Sequence, residues 1–226
     1  MVLSKLLKRT KTFIYSVFFN FKVLPWKQAV HLPFCCYVWP TIRNSSGIIR
    51  FEGKPIRRYM VKLGVQRTPI STPSSFIWTN LGTIVFKGCV SIGHHALISV
   101  HKDGYLEFGD QVLLNSGCRI VSQKKIVFEY KARSSWDCQF YDTNFHPVID
   151  MINGKTMKMC SPIIIGRNVW IGHNVIISKG VKLAEGIIVS SGSVVKNPFK
   201  EENCIISGNP ALKIDSGYKA VLPDIR

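Results

Sequence analysis

Residues 165–194 read IGRNVW, IGHNVI, ISKGVK, LAEGII and VSSGSV, five consecutive units of six residues. Every unit begins with an aliphatic residue, in the order Ile165, Ile171, Ile177, Leu183 and Val189. Every fourth position is Asn or Gly, the residue types that most readily accept positive φ or a tight corner. A period of six is neither the 3.6 of a helix nor the alternation of a simple strand. The stretch therefore predicts one turn of the chain in every unit, with two inward apolar positions.

Three such units close one triangular coil, and successive coils stack at the usual strand spacing of about 4.8 Å. The product is a parallel β-helix in which each coil rests on its neighbours. The same period recurs less regularly upstream, with a shift of two residues between two series: Phe108, Leu114 and Ile120, then Phe128, Ser134 and Phe140. The sequence thus predicts an all-β solenoid from about Ile84 to Val195.

One interruption divides this solenoid. On the upstream phasing the next unit begins at residue 146, but His146 stands there and Pro147 follows it. The regular pattern returns near Ile163, so residues 144–162 are expected to form a loop that leaves the coil, and loops on rigid scaffolds often carry function. The expected divisions are a basic helical and extended segment (1–75), the β-helix with its inserted loop (76–196) and a short C-terminal tail (197–226).

The charge balance is strongly basic. The chain has 30 Lys and Arg against 13 Asp and Glu, a formal net charge of +17. Such a surface attracts nucleic acid, an anionic membrane face or phosphorylated small molecules. No zinc-finger spacing, RNP-like aromatic pair or basic zipper is present, so nucleic acid is not favoured. The seven cysteines contain no C-x-x-C pair, which argues against a disulfide framework and a zinc site.

The N-terminus combines basic and apolar residues. Lys5, Lys8, Arg9 and Lys11 precede the apolar run TFIYSVFFNF at residues 12–21. This run is about half the ~20 residues needed to span a bilayer, and no small-x-small cleavage motif follows it. We expect a basic, partly amphipathic helix, packed on the end of its own domain or in peripheral contact with a membrane. A cytoplasmic protein is expected, at the inner face of the membrane if the helix binds lipid.

Three segments resemble the hexapeptide-repeat acyltransferases, left-handed β-helix enzymes that include galactoside, maltose, serine and polysaccharide O-acetyltransferases. They are residues 168–197, the GNPALKI tail at 208–214 and DTNFHP at 142–147. SSWDCQFYDTNFHP (134–147) and FNFKVLPWKQAVHLP (19–33) are most similar to the branch that acts on cell-envelope polysaccharides. The resemblance implies a left-handed parallel β-helix, transfer of acetyl from acetyl-CoA to a sugar hydroxyl, no metal and a homotrimer with coenzyme sites between subunits.

The resemblance also implies residue roles. His146 matches the general base, and Asn115 matches the asparagine that lines the acceptor site. Asp142 or Asp150 could orient the imidazole, although Asp142 could equally be a turn residue. The positions implied for the coenzyme are Trp170, His173, Ser191, Lys196, Asn197, Pro210 and Lys213. The family usually has a basic residue directly after the Pro-Ala pair, where this chain has Leu212.

Two other classes stay open. A γ-carbonic-anhydrase-like metalloenzyme shares the fold, but its H-x-x-x-x-H pair is absent because His95 and His101 are six residues apart. A catalytically silent scaffold is the second alternative, disfavoured by the intact histidine loop and coenzyme tail. We expect His94 and His95 to be solvent-exposed corner residues, and Cys118 and Cys138 to pack in the core rather than act as nucleophiles.

Overall fold

The computed structural model describes residues 2–66 and 75–225. Within these residues, two helices, α1 (Val2–Val23) and α2 (Trp26–Ala29), precede 24 strands. Sheet A contains, in spatial order, β1 (Phe34–Cys36), β4 (Val61–Val65), β7 (Val90–Gly93), β10 (Val112–Leu114), β13 (Arg133–Ser134), β18 (Trp170–Ile171), β21 (Ile188–Val189), β23 (Cys204–Gly208) and β24 (Ala211–Ser216). Sheet B contains β2 (Pro40–Asn44), β5 (Phe76–Asn80), β8 (Leu97–Val100), β11 (Arg119–Ser122), β14 (Gln139–Tyr141), β19 (Ile176–Ser178) and β22 (Val194–Val195). Sheet C contains β3 (Ile48–Phe51), β6 (Thr83–Phe86), β9 (Tyr105–Phe108), β12 (Ile126–Phe128), β17 (Ile163–Ile165) and β20 (Lys182–Leu183).

The chain visits sheets A, B and C in turn, so each circuit is one coil of a triangular parallel β-helix. All ladders within the three sheets are parallel except β23–β24, which forms an antiparallel hairpin at the last coil. A second hairpin, β15 (Val148–Asp150) with β16 (Lys155–Met157), lies outside the sheets, within the predicted loop. The predicted all-β solenoid is confirmed.

The coils differ in length, which explains the uneven rhythm of the sequence. Along sheet C, Phe86 pairs with Phe108 and Phe108 pairs with Phe128, so these coils contain 22 and 20 residues. Downstream, Ile165 pairs with Leu183, giving the 18 residues of three perfect hexads. The extra residues of the early coils are accommodated at the corners, and this produces the phase shift seen before Phe128.

The Asn and Gly column forms corners as predicted. Asn168, Asn174, Gly180, Gly186 and Gly192 all have positive φ, between 54° and 83°. In the early coils the same left-handed corners are formed by residues with side chains, namely His95, Gln111, Lys131 and Asp137. Such residues adopt this conformation less readily than Gly or Asn. A search for Asn or Gly at corner positions therefore does not detect these corners in the sequence.

The parallel ladders begin with β1, well before the expected boundary at residue 76. Helix α1 covers the open end of this first coil. Phe19 packs at 5.2–5.5 Å from the rings of Phe34, Phe76 and Trp78. The Asn20 amide donates to the Phe34 carbonyl at 2.8 Å and accepts from its N–H at 3.1 Å. The Asn20 side chain therefore supplies hydrogen-bond partners for backbone groups at the otherwise unpaired edge of β1. The helix packs on its own domain, which is one of the two arrangements expected from the sequence.

The C-terminal segment 218–225, here named the strap, runs back along the solenoid. Tyr218 N–H donates to the Asn203 carbonyl at 2.9 Å. Further along, Arg133 donates to the Pro223 carbonyl, and Asp224 forms a 2.6 Å ion pair with Lys131. Ile225 N–H donates to Gln111 Oε1 at 2.7 Å. The strap thus connects the last coil to coils far earlier in the sequence.

Candidate active site

Three predicted site residues lie on one corner of the prism, where each coil passes from sheet A to sheet B, here named edge AB. Asn115 follows β10, His173 follows β18 and Ser191 follows β21. The Ser191 hydroxyl accepts from the His173 N–H at 3.2 Å, so these two residues touch across adjacent coils. Trp136, in the coil between Asn115 and His173, stacks on the His173 ring at 4.9 Å with an interplanar angle of 13°. Edge AB therefore carries a continuous column of polar and aromatic groups.

His146 lies on a different corner, where coils pass from sheet B to sheet C, here named edge BC. The inserted loop starts directly after β14 and ends at β17. The two ends of the loop, residues 142–143 and 160–161, are here named its neck. They are joined by an antiparallel bridge between Thr143 and Cys160 and by the Ser161 N–H, which donates to the Asp142 carbonyl at 2.9 Å. Phe145 adopts positive φ and donates its N–H to Thr143 Oγ1 at 2.9 Å. The next residue, His146, therefore has an exposed side chain, and these contacts fix the backbone that precedes it.

Asp142 is fully buried and occupied elsewhere. Its carboxylate accepts from the N–H groups of Gln123, Lys124 and Lys125 at 2.7–2.9 Å and from the Ser122 hydroxyl at 3.0 Å. It anchors the turn of the preceding coil and forms no hydrogen bond with His146. Of the two roles that the sequence leaves open for Asp142, these hydrogen bonds are those of a turn residue.

Asp150 is committed within its own hairpin. Its carboxylate accepts from the side chain and N–H of Asn153 and from the N–H of Ile152. The Asn153 side-chain amide, followed by these backbone donors, lowers the pKa of Asp150. In a single chain, neither candidate carboxylate orients the His146 ring.

The predicted coenzyme positions do not form one cluster within the chain. Trp170 is exposed on the outer face of sheet A, while Lys196 and Asn197 follow β22 and are exposed on edge BC. Pro210 occupies the turn between β23 and β24. Lys213 on β24 forms a 2.8 Å ion pair with Glu201, whose hydrogen bond raises the pKa of the lysine. A phosphate that binds Lys213 would have to compete with this carboxylate.

One histidine differs from its prediction. His95 is exposed, as expected, but His94 is fully buried. The reason is that His95 takes the left-handed corner, with φ of 57°, which turns the preceding side chain inward. Burial, with a smaller contribution from the His95 ring 4.9 Å away, lowers the pKa of His94. Within residues 2–66 and 75–225, neither ring nitrogen of His94 has a hydrogen-bond partner.

The loop also contains an apolar surface that the sequence reasoning did not single out. The β15–β16 hairpin and its connections expose Val148, Ile149, Met151, Ile152, Met157 and Met159. Met151 is 89% exposed and Ile152 is 94% exposed, at the tip of the hairpin.

Cys118 and Cys138 are fully buried, which confirms that they pack in the core. Among the residues that the structure describes, no three His, Cys, Asp or Glu side chains are grouped as a metal site.

Comparison with known proteins bears on the fold. Neither protein-family models nor curated proteins match the sequence. The structure is similar to that of the polySia-specific acetyltransferase NeuO, with a TM-score of 0.54, 20% identity and coverage of 83% of this chain and 90% of that one. A maltose O-acetyltransferase from Clostridium difficile 630 has a TM-score of 0.39 and 19% identity, with coverage of 93% of this chain and 87% of that one. A third structure is a hexapeptide-repeat acetyltransferase from Vibrio cholerae O1 biovar eltor in complex with acetyl-CoA. Its TM-score is 0.42 and its identity 26%, with coverage of 53% of this chain and 61% of that one. The similarity to NeuO shows that the chain has a left-handed parallel β-helix fold.

Proposed function

We propose that the protein is an acetyl-CoA-dependent O-acetyltransferase with His146 as its general base. The observation that carries the proposal is the presentation of His146: an exposed imidazole on a loop whose neck is locked to the coil, in a fold shared with NeuO. Histidine is the side chain most often used as a general base, and an imidazole held outside a rigid scaffold can reach the hydroxyl of an acceptor.

In the proposed reaction the acceptor hydroxyl oxygen attacks the thioester carbonyl of acetyl-CoA while His146 takes the hydroxyl proton. A tetrahedral oxyanion forms and requires hydrogen-bond donors. Collapse of this species breaks the carbon–sulfur bond, and the departing thiolate recovers the proton from the imidazolium. The products are the acetyl ester and coenzyme A, and no covalent acyl-enzyme is needed.

The acceptor side of the site is proposed to come from a second subunit. Asn115 and the Trp136–His173–Ser191 column lie on edge AB, whereas His146 lies on edge BC of the same chain. A homotrimer that sets edge BC of one subunit against edge AB of the next would bring the two sets together. The exposed apolar hairpin supports this arrangement, because such a surface calls for a partner.

Acetyl-CoA would then lie in the groove between subunits, near Trp170, His173, Ser191, Lys196 and Asn197. Pro210 and Lys213 would contact the nucleotide end, with the 3′-phosphate taking the place of Glu201 at Lys213. A sugar hydroxyl is the proposed acceptor. The support is the glycan specificity that NeuO has by name and the likeness of residues 134–147 to the polysaccharide branch.

The proposal is tested by thiol release from acetyl-CoA in the presence of sugars, nucleotide sugars, serine and amines. His146→Ala is expected to lower kcat by roughly 10²–10⁴-fold, the usual contribution of a positioned base. His31→Ala provides the matched control, because His31 is also exposed but lies next to α2, outside the inserted loop and the two edges. Full turnover of His146→Ala with normal acetyl-CoA binding would reject the proposed base. Activity abolished by chelation and restored by zinc would favour the metalloenzyme.

A further inference from the structure

Helix α1 carries large apolar side chains on two sides, and the protein covers only one of these sides. Ser16, Phe19, Asn20 and Val23 are buried against the first coil. The opposite side, here named the outer face of α1, exposes large apolar side chains: Leu7, Ile14, Phe18 and Phe21. At 100° per residue, Leu7, Ile14, Phe18 and Phe21 fall within a sector of about 60°. An isolated soluble domain has no reason to maintain such a stripe in water.

The stripe continues beyond the helix through aromatic residues. Trp39, itself half exposed, stacks on Phe18 at 4.9 Å and meets the edge of the Tyr15 ring at 5.2 Å. Trp26 is also exposed, at the start of α2. Tryptophan side chains with an apolar body and a polar N–H are typical of the boundary between lipid and water.

The charges around the stripe have one sign. The first 51 residues of the chain contain eight Lys and Arg and no Asp or Glu. Lys8, Lys11 and Lys22 are exposed along one border of the outer face, and Arg9 is exposed on the other side of the helix. Two copies joined through this face would bring these like charges together. An anionic surface would neutralise them instead.

A basic cavity lies beside the helix. It has a volume of about 530 Å³ and is lined by Lys8, Arg9 and Arg58 together with Thr12, Tyr37 and Tyr59. The Arg58 guanidinium lies 4.8 Å from the centre of the Tyr59 ring, which holds it at the wall. Arg9 and Thr12 lie on the side of α1 that faces the first coil, so this cavity is separate from the apolar stripe and docking through the stripe does not depend on it.

From these features we infer that the outer face of α1 docks on an anionic phospholipid bilayer. The helix lies in the plane of the membrane, with its apolar stripe among the acyl chains and its basic border at the headgroups. No helix within the described parts of the chain is long and apolar enough to cross a membrane. The inference does not depend on acetyl transfer, because it rests on residues outside the candidate active site.

The test is co-sedimentation of the full chain with vesicles of phosphatidylcholine alone or mixed with phosphatidylglycerol. Binding to the mixed vesicles and far weaker binding to phosphatidylcholine are expected. The double variant Leu7→Gln, Ile14→Gln is expected to bind the mixed vesicles roughly tenfold or more weakly, because it removes apolar area from the lipid. Gln preserves helix propensity, and Phe21→Gln tests the same face at a separate turn should the double variant not fold. Val221→Gln is the matched control for Phe21→Gln, since it also replaces one exposed apolar residue but lies in the strap, and it should bind like the wild type.

Three outcomes would overturn the inference. The first is no binding to mixed vesicles, or equal binding by the wild type and both α1 variants, which would leave only the general basic charge. The second is an oligomer that forms without lipid and has a lower mass in the α1 variants. That result would show that the outer face joins copies of the chain. The third is thermal stabilisation by inorganic phosphate without vesicle binding, which would assign the cavity to a free anion.

Discussion

Asp142 offers the sharpest test of how the candidate active-site loop is held. The side chain is fully buried, and its two oxygens receive four hydrogen bonds: Oδ1 from the Gln123 N–H, and Oδ2 from Ser122, Lys124 and Lys125. Hydrogen bonds to a charged acceptor contribute about 1.5–3 kcal/mol each. In Asp142→Ala, water can reach the N–H groups of Lys124 and Lys125, which are exposed residues, and this offsets part of the loss. We expect a net destabilisation of about 3–5 kcal/mol, typical of a buried charge network that loses one partner.

Asp142→Asn should be milder, because the amide oxygen can take the position of Oδ2. Three of the four hydrogen bonds are then retained without the charge, and the new NH₂ group faces the Gln123 N–H. The expected cost is about 1.5–3 kcal/mol, the contribution of one charge-assisted hydrogen bond. Asp150→Asn is the matched control: it also changes a hydrogen-bonded loop carboxylate, but one near the surface, so the unfolding midpoint should barely move.

The assay is thermal and urea unfolding at one fixed protein concentration, combined with the pH profile of kcat/KM. A loss of 3–5 kcal/mol corresponds to a fall in Tm of roughly 6–20 °C for a chain of this size. The apparent pKa of the pH profile should stay the same in Asp142→Asn, because the carboxylate does not contact His146. A variant with wild-type stability and a shifted pH profile would show that Asp142 orients the imidazole, and the anchoring argument would fail.

Three further predictions concern separate parts of the molecule. His94 is buried with a lowered pKa, so the native state resists its protonation. The free energy of unfolding of the wild type should therefore fall as pH drops below about 6.5, by up to about 1.4 kcal/mol per pH unit until the folded-state pKa is passed. Urea unfolding should show a smaller fall in His94→Gln. Acetyl-CoA should bind more tightly than its dephospho form by calorimetry, and Lys213→Ala should remove the difference; equal affinities in the wild type would take Lys213 out of the site. Ile152→Glu, which places a charge on the apolar hairpin, should dissociate the proposed trimer and abolish turnover, and a monomeric wild type that still turns over would contradict the shared site.

The fold was predictable where the sequence repeats without insertions. The Asn and Gly column from Asn168 to Gly192 marks every corner of the late coils, because those residue types are selected by the left-handed conformation itself. Upstream, corners formed by His95, Gln111 and Lys131 carry no such signal. The first coil, from β1 to β3, was not predicted because long connections separate its strands from those they pair with.

The sequence proposes a set of residues for the candidate site, but not how those residues are arranged in space. The break in the hexad pattern identified the loop around His146. The role of Asp142 could not be read from sequence, because its donors lie 17–20 residues earlier and meet it only when one coil stacks on the next. The burial of His94 likewise depends on which of two adjacent histidines takes the corner, a choice that follows from the register between coils.

The strap changes how the whole solenoid should lose its structure. A stack of coils in contact only with their neighbours behaves as a one-dimensional system, and such systems fray from whichever end is weaker. The ion pair of Lys131 with Asp224 and the hydrogen bond of Gln111 with Ile225 join partners that are 93 and 114 residues apart. Unravelling of the last coil must therefore also release contacts on coils deep within the stack, so partial melting from the C-terminal end is penalised. This closure also adds long-range contacts, which should be among the last to form during folding, since the coils they connect must first be stacked.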